Sequence, residues 1–410
     1  MTLSINQKGA FYIYATIVFI TMCTSNRTMY TNHVPENFLL LLSIVQMVFF
    51  CMLLENTRKH SVTLMIVLIG IMSFSLFYKQ PNHSFFRVII SMGSFSTLSS
   101  VIFLSQKDKS ALLDFISNAM CILLTISLIG WCLYLAGYTF PVFEYVDLKN
   151  DQHYLNNHYV FYDNANRLSD FFPRFRAFFI EPGQLATPCL FLFFARGAIL
   201  KDKINIILLL AILFSFSLIG YVALFIGIFL KNLFVDKKYR IARIIGFVLI
   251  IYSIGWYSLK NASEDDPLMS LIIERLEYDE ELGISGNNRT DVNFDNHFNR
   301  FLKSDKIFWG MGDEIKVGYG SWTNHASGIK KFFVNFGLLG IITMILLTGL
   351  LLKRNYCRET LLFFIIIWMA FLVRDMLQTS FWLILAILGF YNLHEQYLTN
   401  VVKSKYLGKK

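Results

Sequence analysis

Two stretches of this chain gather residue types that could do chemistry. The first reads Arg174-Phe175-Arg176-Ala177-Phe178-Phe179-Ile180-Glu181-Pro182-Gly183-Gln184. A guanidinium presents a planar fork of donors that matches phosphate, and a poorly hydrated setting strengthens that pairing. Glu181 ahead of Pro182 marks a helix start, because Pro fits the first turn and a carboxylate suits the positive helix end. Arg174 and Arg176 thus stand among aromatics where the chain turns into a helix. Arginines that snorkel beside an aromatic belt would give the same pattern, and these residues alone leave both readings open.

The second stretch is longer. It holds Arg275, Gly286-Asn287-Asn288-Arg289-Thr290, Arg300 and Trp309-Gly310-Met311-Gly312-Asp313-Glu314, and it closes with Trp322-Thr323-Asn324-His325. Phe336-Gly337-Leu338-Leu339-Gly340 follows shortly after. His325 has the titration range of a general base, although a lone histidine before a helix also serves as a polar cap. Glu264-Asp265-Asp266 reads as a solvated turn. The basic loops hold neither a Gly-rich phosphate cradle nor the paired carboxylates that a nucleotide-sugar metal needs. Around 25–36 only Glu36 is acidic, and the eight histidines show no ligand spacing. The expected chemistry is metal-free, without cofactor, arginine-based and directed at an anionic lipid-linked substrate.

The elements that must position these residues are helices in a bilayer. Of 410 residues, 55% are hydrophobic and 16% charged, with mean hydropathy +0.51, too little charge to cover a soluble chain of this length. Apolar runs long enough to span about 30 Å of hydrocarbon recur throughout, and in lipid a helix satisfies every backbone group internally. The runs predict an all-α, polytopic transmembrane bundle of about twelve spans. They lie near 9–24, 37–54, 61–78, 85–105, 111–138, 183–199, 204–218, 220–233, 241–258, 330–352, 359–374 and 377–397. The run after Lys8 lacks a small-residue cleavage site and reads as a retained helix. The six cysteines show no Cys-x-x-Cys pair and avoid both long polar loops, so neither zinc nor a disulfide is inferred.

Alternate loops carry Arg58/Lys59, Lys107/Lys109, Arg196/Lys201/Lys203, Lys231 to Arg243 and Lys353/Arg354/Arg358, and the tail adds four lysines. Short basic loops are cytosolic, which accounts for the net charge of +9 without a nucleic-acid partner. Both termini are expected inside. The whole chain, 1–410, then forms one membrane domain with two long extracytoplasmic loops, 139–182 and 259–329. No internal repeat of the secondary-transporter kind is visible.

These residues resemble the O-antigen and capsular polysaccharide polymerases (Wzy type) and the related O-antigen ligases. The resemblance rests on Arg176 followed by Glu181-Pro182, on Gly286-Asn287-Asn288-Arg289, on Trp309-Gly310-Met311-Gly312, and on His325 ahead of Gly337-Leu338-Leu339-Gly340. Where the family often has Ser-Arg at a helix hairpin, this chain has Ser217-Leu218, so an arginine there must come from elsewhere or is dispensed with. A Glu common in the family two residues before the first glycine is Asn335 here. The resemblance implies glycosyl transfer on the outer face of a bacterial cytoplasmic membrane. The donor would be a glycan on undecaprenyl pyrophosphate and the acceptor a lipid-linked repeat unit. It casts Arg176 and Arg289 as pyrophosphate ligands and His325 as the group acting on the acceptor hydroxyl. Arg174, Glu181, Asn288 and Asn324 would help bind substrate. A chain-length regulator and a flippase are the implied protein partners. A ligase acting on lipid A core, or a lipid-linked sugar transporter, are the alternatives.

Overall fold

The computed structural model describes residues 2–25, 36–53, 97–98, 100–147, 154–158, 160–164, 174–235, 278–279, 283–284, 292–311, 328–373 and 380–407. The helices expected near 61–78 and 241–258, and most of that near 85–105, lie outside these residues. The described helices are α1 Thr2–Ser25, α2 Glu36–Leu53, α3 Gln106–Leu135, α4 Pro182–Ala195, α5 Lys203–Phe214, α6 Leu218–Leu230, α7 Val292–Leu302, α8 Gly328–Arg354, α9 Arg358–Val373 and α10 Ser380–Leu407. A π-helical turn, Lys231–Val235, extends α6.

Among the described residues, three helices are long and apolar enough to cross a membrane: Gln106–Leu135, Leu218–Val235 and Gly328–Arg354. Their surfaces show how they would do so. On α3, Leu112, Leu113, Ile116, Met120, Leu124, Leu128 and Trp131 are buried. Ile122, Ile126, Ile129 and Leu133 recur three or four residues apart on another face, and Ile122 is 61% exposed. An exposed aliphatic stripe at helical spacing is costly in water and at home in lipid. Leu338, Ile342, Ile345, Leu346 and Leu350 form a similar stripe on α8. This is a mostly helical membrane protein.

Local sequence sets the helix ends. Ser105 caps α3, accepting from Asp108 N at 3.1 Å. Asp202 caps α5, accepting from Ile204 N at 3.0 Å. All 14 residues of α4 are buried, with α5, α6, α9 and α10 packed around it. The basic connections meet at one end of this bundle. There Arg196 bridges to Asp114 at 2.6 Å, Lys231 donates to Ala198 O at 3.0 Å, and Arg358 donates to Phe234 O at 3.2 Å. Asn392 of α10 also reaches Ala195 O at 3.0 Å. The first long polar segment, through Val160 and Phe175, and residues 308–311 of the second meet the bundle at the opposite end.

The expectation of an all-helical chain needs one amendment. The first long segment contains a three-stranded antiparallel sheet of β1 Glu144–Asp147, β2 Tyr154–Asn157 and β3 Tyr162–Asn164. In the second, Tyr278–Asp279 pairs with Gly283–Ile284. The run expected as one helix near 330–352 is also broken, at Gly337 with φ +65°.

Candidate arginine strap and glycine interlock

The sheet matters because it seats a strap, residues 174–181, on the ends of α3 and α5. Ser127 of α3 donates to Val160 O at 2.5 Å, and Tyr162 N donates to Ala177 O at 2.9 Å. Buried Phe175 lies against Trp131, whose ring also meets Phe214. Phe175 N then donates to Phe214 O at 2.9 Å, sewing the strap to the turn between α5 and α6. With Phe175 pointing inward, its neighbours Arg174 and Arg176 are left half-buried. Ala177 turns the chain with φ +48°, a left-handed conformation that a non-glycine residue adopts only when its surroundings enforce it. Phe178 and Phe179 then stack at 4.6 Å, and the chain enters α4 through Glu181-Pro182.

Arg174 crosses to the turn that joins α5 and α6. Its Nη2 donates to Phe216 O at 2.7 Å and its Nε to Ser215 O at 3.3 Å. That turn is itself strained into place. Phe216 has φ +47°, Ser215 Oγ donates to Ile212 O at 2.6 Å, and Ser217 N donates to Ser215 Oγ at 3.2 Å. A cation at the carboxyl end of α5 complements the helix dipole. Arg176 Nη1 donates to Ile180 O at 3.1 Å, which folds its side chain back towards the start of α4. Glu181 is exposed and its side chain makes no capping bond to α4. Arg176 and Glu181 therefore stand at the start of α4, where backbone N–H groups also favour anions, while Arg174 is seated on the neighbouring turn between α5 and α6.

The structure adds residues that sequence reasoning missed. Beneath the strap, Tyr134 Oη donates to Asp163 Oδ2 at 2.6 Å, and His158 Nε2 lies 3.9 Å from the same oxygen. His158 Nδ1 faces Pro141 O at 3.1 Å, so that nitrogen carries the ring proton in the neutral form. His158 and Asp163 are only 6% and 5% exposed, which suits holding the strap rather than touching substrate. Their spacing in sequence carries no signal, because the pairing is made by the antiparallel register of β2 and β3, in which Asn157 faces Tyr162.

The second long segment docks through glycine. Met311 N donates to Val334 O at 2.7 Å and Leu339 N to Phe308 O at 3.1 Å. Gly310, φ +85°, and Gly337, φ +65°, meet backbone to backbone, and a Cβ on either would fall under 3.0 Å from main-chain atoms of the other segment. The Trp-Gly-x-Gly and Phe-Gly-Leu-Leu-Gly stretches are thus one interlocked unit. Alongside it, α7 packs on α8 through Lys330 and Asp295 at 2.7 Å, Phe298 and Phe333, and Phe301 and Phe333. These contacts advance together along both helices, so α7 and the first part of α8 run in the same direction.

Arg289, Asn288, Asn324 and His325 lie outside the described residues. In sequence, Arg289 and His325 each stand three residues before a helix start, Val292 and Gly328, and those two starts are at the same end of the paired helices. Among the described residues no group of three His, Cys, Asp or Glu could hold a metal ion. No protein-family model and no curated protein matches this chain.

Proposed function

We propose that this protein polymerises oligosaccharide repeat units carried on a polyprenyl pyrophosphate, with the arginine strap on the outer face of a bacterial cytoplasmic membrane. The observation that carries this reading is Arg174. Its guanidinium rests on the Ser215 and Phe216 carbonyls, at the hairpin where the resembled polymerases and ligases place a Ser-Arg pair. The arginine lacking from Ser217-Leu218 is supplied across space. Arg176, two residues away at the start of α4, gives a second fork for a pyrophosphate. The interlock of Gly310 with Gly337 joins two further stretches that carry the resemblance.

In this reading a hydroxyl of the incoming repeat attacks the anomeric carbon of the growing glycan. The bond from that carbon to the pyrophosphate oxygen breaks, and the acceptor proton passes to His325. Arg176 and Arg289 stabilise the charge gathering on the departing lipid pyrophosphate, the step where electrostatic help is worth most. The donor is pre-activated, so no nucleotide is consumed. Positive loops at the other end of the bundle favour a cytosolic location there, with both termini on that side.

Deleting the gene and resolving the surface glycans by size tests the reading. A polymerase leaves single repeats attached to their acceptor, restored to long chains by the wild-type gene and not by Arg176→Ala. Complete loss of attached glycan would instead identify a ligase, and unchanged glycans would remove the proposal. Reporter fusions should read inside at Lys410 and outside near Asp265.

A further inference from the structure

The end of the bundle opposite the strap holds a second cationic arrangement that the proposed reaction does not use. Lys109, in the first turn of α3, is 3% exposed, and its Nζ lies 4.0 Å from the centroid of the Tyr391 ring. Arg354, the last residue of α8 and exposed, lies over the same ring at 5.6 Å. One aromatic ring from α10 thus gathers cations from two other helices. Such contacts are attractive, but they leave both formal charges in place.

The surroundings offset those charges only in part. Lys109 Nζ donates to Leu104 O at 2.8 Å, which uses one of its three donors. Among the described residues Arg354 makes neither a hydrogen bond nor an ion pair with its guanidinium, and its charge repels that of Lys109. The nearby carboxylates keep their charge while accepting from hydroxyls: Asp108, whose charge favours the Lys109 ammonium, accepts at Oδ2 from Ser105 at 2.5 Å, and Glu395 Oε2 accepts from Ser110 at 3.0 Å. Tyr391 itself is 2% exposed, and among the described residues its Oη meets no partner in full hydrogen-bonding geometry, the Asn355 side chain lying close beside it. A buried hydroxyl without a partner costs free energy that a bound acceptor would recover. Two cations and that hydroxyl converge where the start of α3 and the end of α8 meet α10, among the basic connections.

We propose that Lys109, Arg354 and Tyr391 form a phosphate-binding site at this end of the helix bundle. The phosphate bridges the Lys109 ammonium and the Arg354 fork and accepts from Tyr391 Oη. It relieves the repulsion between the cations and ties the start of α3 to the end of α8 through α10. Its source is either the headgroup of an anionic membrane lipid or a free phosphate ion, and both offer the same oxygens. Basic clefts between transmembrane helices at a charged leaflet are suited to such headgroups.

The test uses the full chain purified in a neutral detergent, with native mass spectrometry for retained lipid and a melting curve for stability. Phosphatidylglycerol should be retained and should raise the melting temperature, while phosphatidylcholine should do neither. Arg354→Gln should weaken retention by about fivefold, one surface cation's worth, and Tyr391→Phe by about twofold. Lys201→Gln, an exposed cation at the same end, should leave retention unchanged. Protection by millimolar inorganic phosphate that Arg354→Gln abolishes, with no response to phosphatidylglycerol, would establish the site and assign it to the free ion. Lys109→Met removes a buried group that also holds Leu104 O, so the exposed Arg354→Gln is the deciding variant. Phosphatidylglycerol retention indifferent to both Arg354→Gln and Tyr391→Phe, together with no effect of phosphate, would overturn the proposal.

Discussion

Arg196 and the pair Arg174 and Arg176 occupy opposite ends of the bundle and are held by different kinds of partner. Arg196 lies between Asp114 at 2.6 Å and Asp202 at 2.7 Å, so carboxylates match its charge. The hydrogen bonds described at Arg174 and Arg176 run to the carbonyls of Ser215, Phe216 and Ile180. A carbonyl orients a guanidinium without removing its formal charge. Two carboxylates at one guanidinium tie connections of the fold together, whereas carbonyls at a turn and a helix start orient the guanidinium within the strap. The difference is one of partner chemistry among the hydrogen bonds described.

The comparison breaks most sharply at Arg176. Arg176→Ala should lower polymer-forming turnover by roughly 10²–10³-fold at matched membrane abundance, and Arg176→Lys should fail too, since an ammonium lacks the fork. Arg196→Lys should leave turnover per folded molecule intact. Equal losses at both positions would erase the distinction. Next in size is Gly337→Ala, which forces a Cβ against the Phe308 carbonyl and Gly310. It should cost about 3 kcal/mol and appear as lost folded protein rather than a changed KM. Asp202→Asn removes one of the two carboxylates at Arg196. Because that residue is partly exposed, a loss of only about 1–2 kcal/mol is expected, read from a melting curve with turnover unchanged.

The smallest effect expected is in pH. Burial, and after it the Arg300 charge, lower the pKa of His297 on α7 from its ordinary 6.5. The unfolded chain therefore binds a proton at His297 more readily than the folded protein does. Stability contributed there is complete above about pH 6.5 and falls as pH drops through the folded pKa. Acidification from pH 7 to 5 should lower Tm by a component on the order of 1 °C that His297→Gln removes.

The apolar runs were legible because a bilayer leaves the backbone little choice but a helix. The break at Ser217-Leu218-Ile219-Gly220 was visible as well, and the structure ends α5 at Phe214 and begins α6 at Leu218. What sequence could not show depends on distant partners. Gly337 interrupts its helix because Phe308 O and Gly310 press on it, and no property of 330–352 alone predicts that. The sheet around Tyr162 forms because Ala177 O accepts its N–H from the strap. Arg174 and Arg176 were legible as candidates from the Glu181-Pro182 helix start, yet the hairpin beneath Arg174 was not, since its partners lie 41 and 42 residues ahead. The polar cluster of Tyr134, His158 and Asp163 left no trace in spacing.

That separation has a consequence for biogenesis. Arg174 is synthesised before the turn that seats it, and at about 5–20 residues per second some 40 residues take roughly two to eight seconds. Through that interval the strap has no Ser215 or Phe216 to close on, because α4 and α5 must both be made first. Arg174 is thus set in place only once α4 and α5 have packed together and formed the turn after Phe214. A pair that fails to pack leaves Arg174 unseated, so the pairing of these two helices acts as an assembly checkpoint on the candidate site.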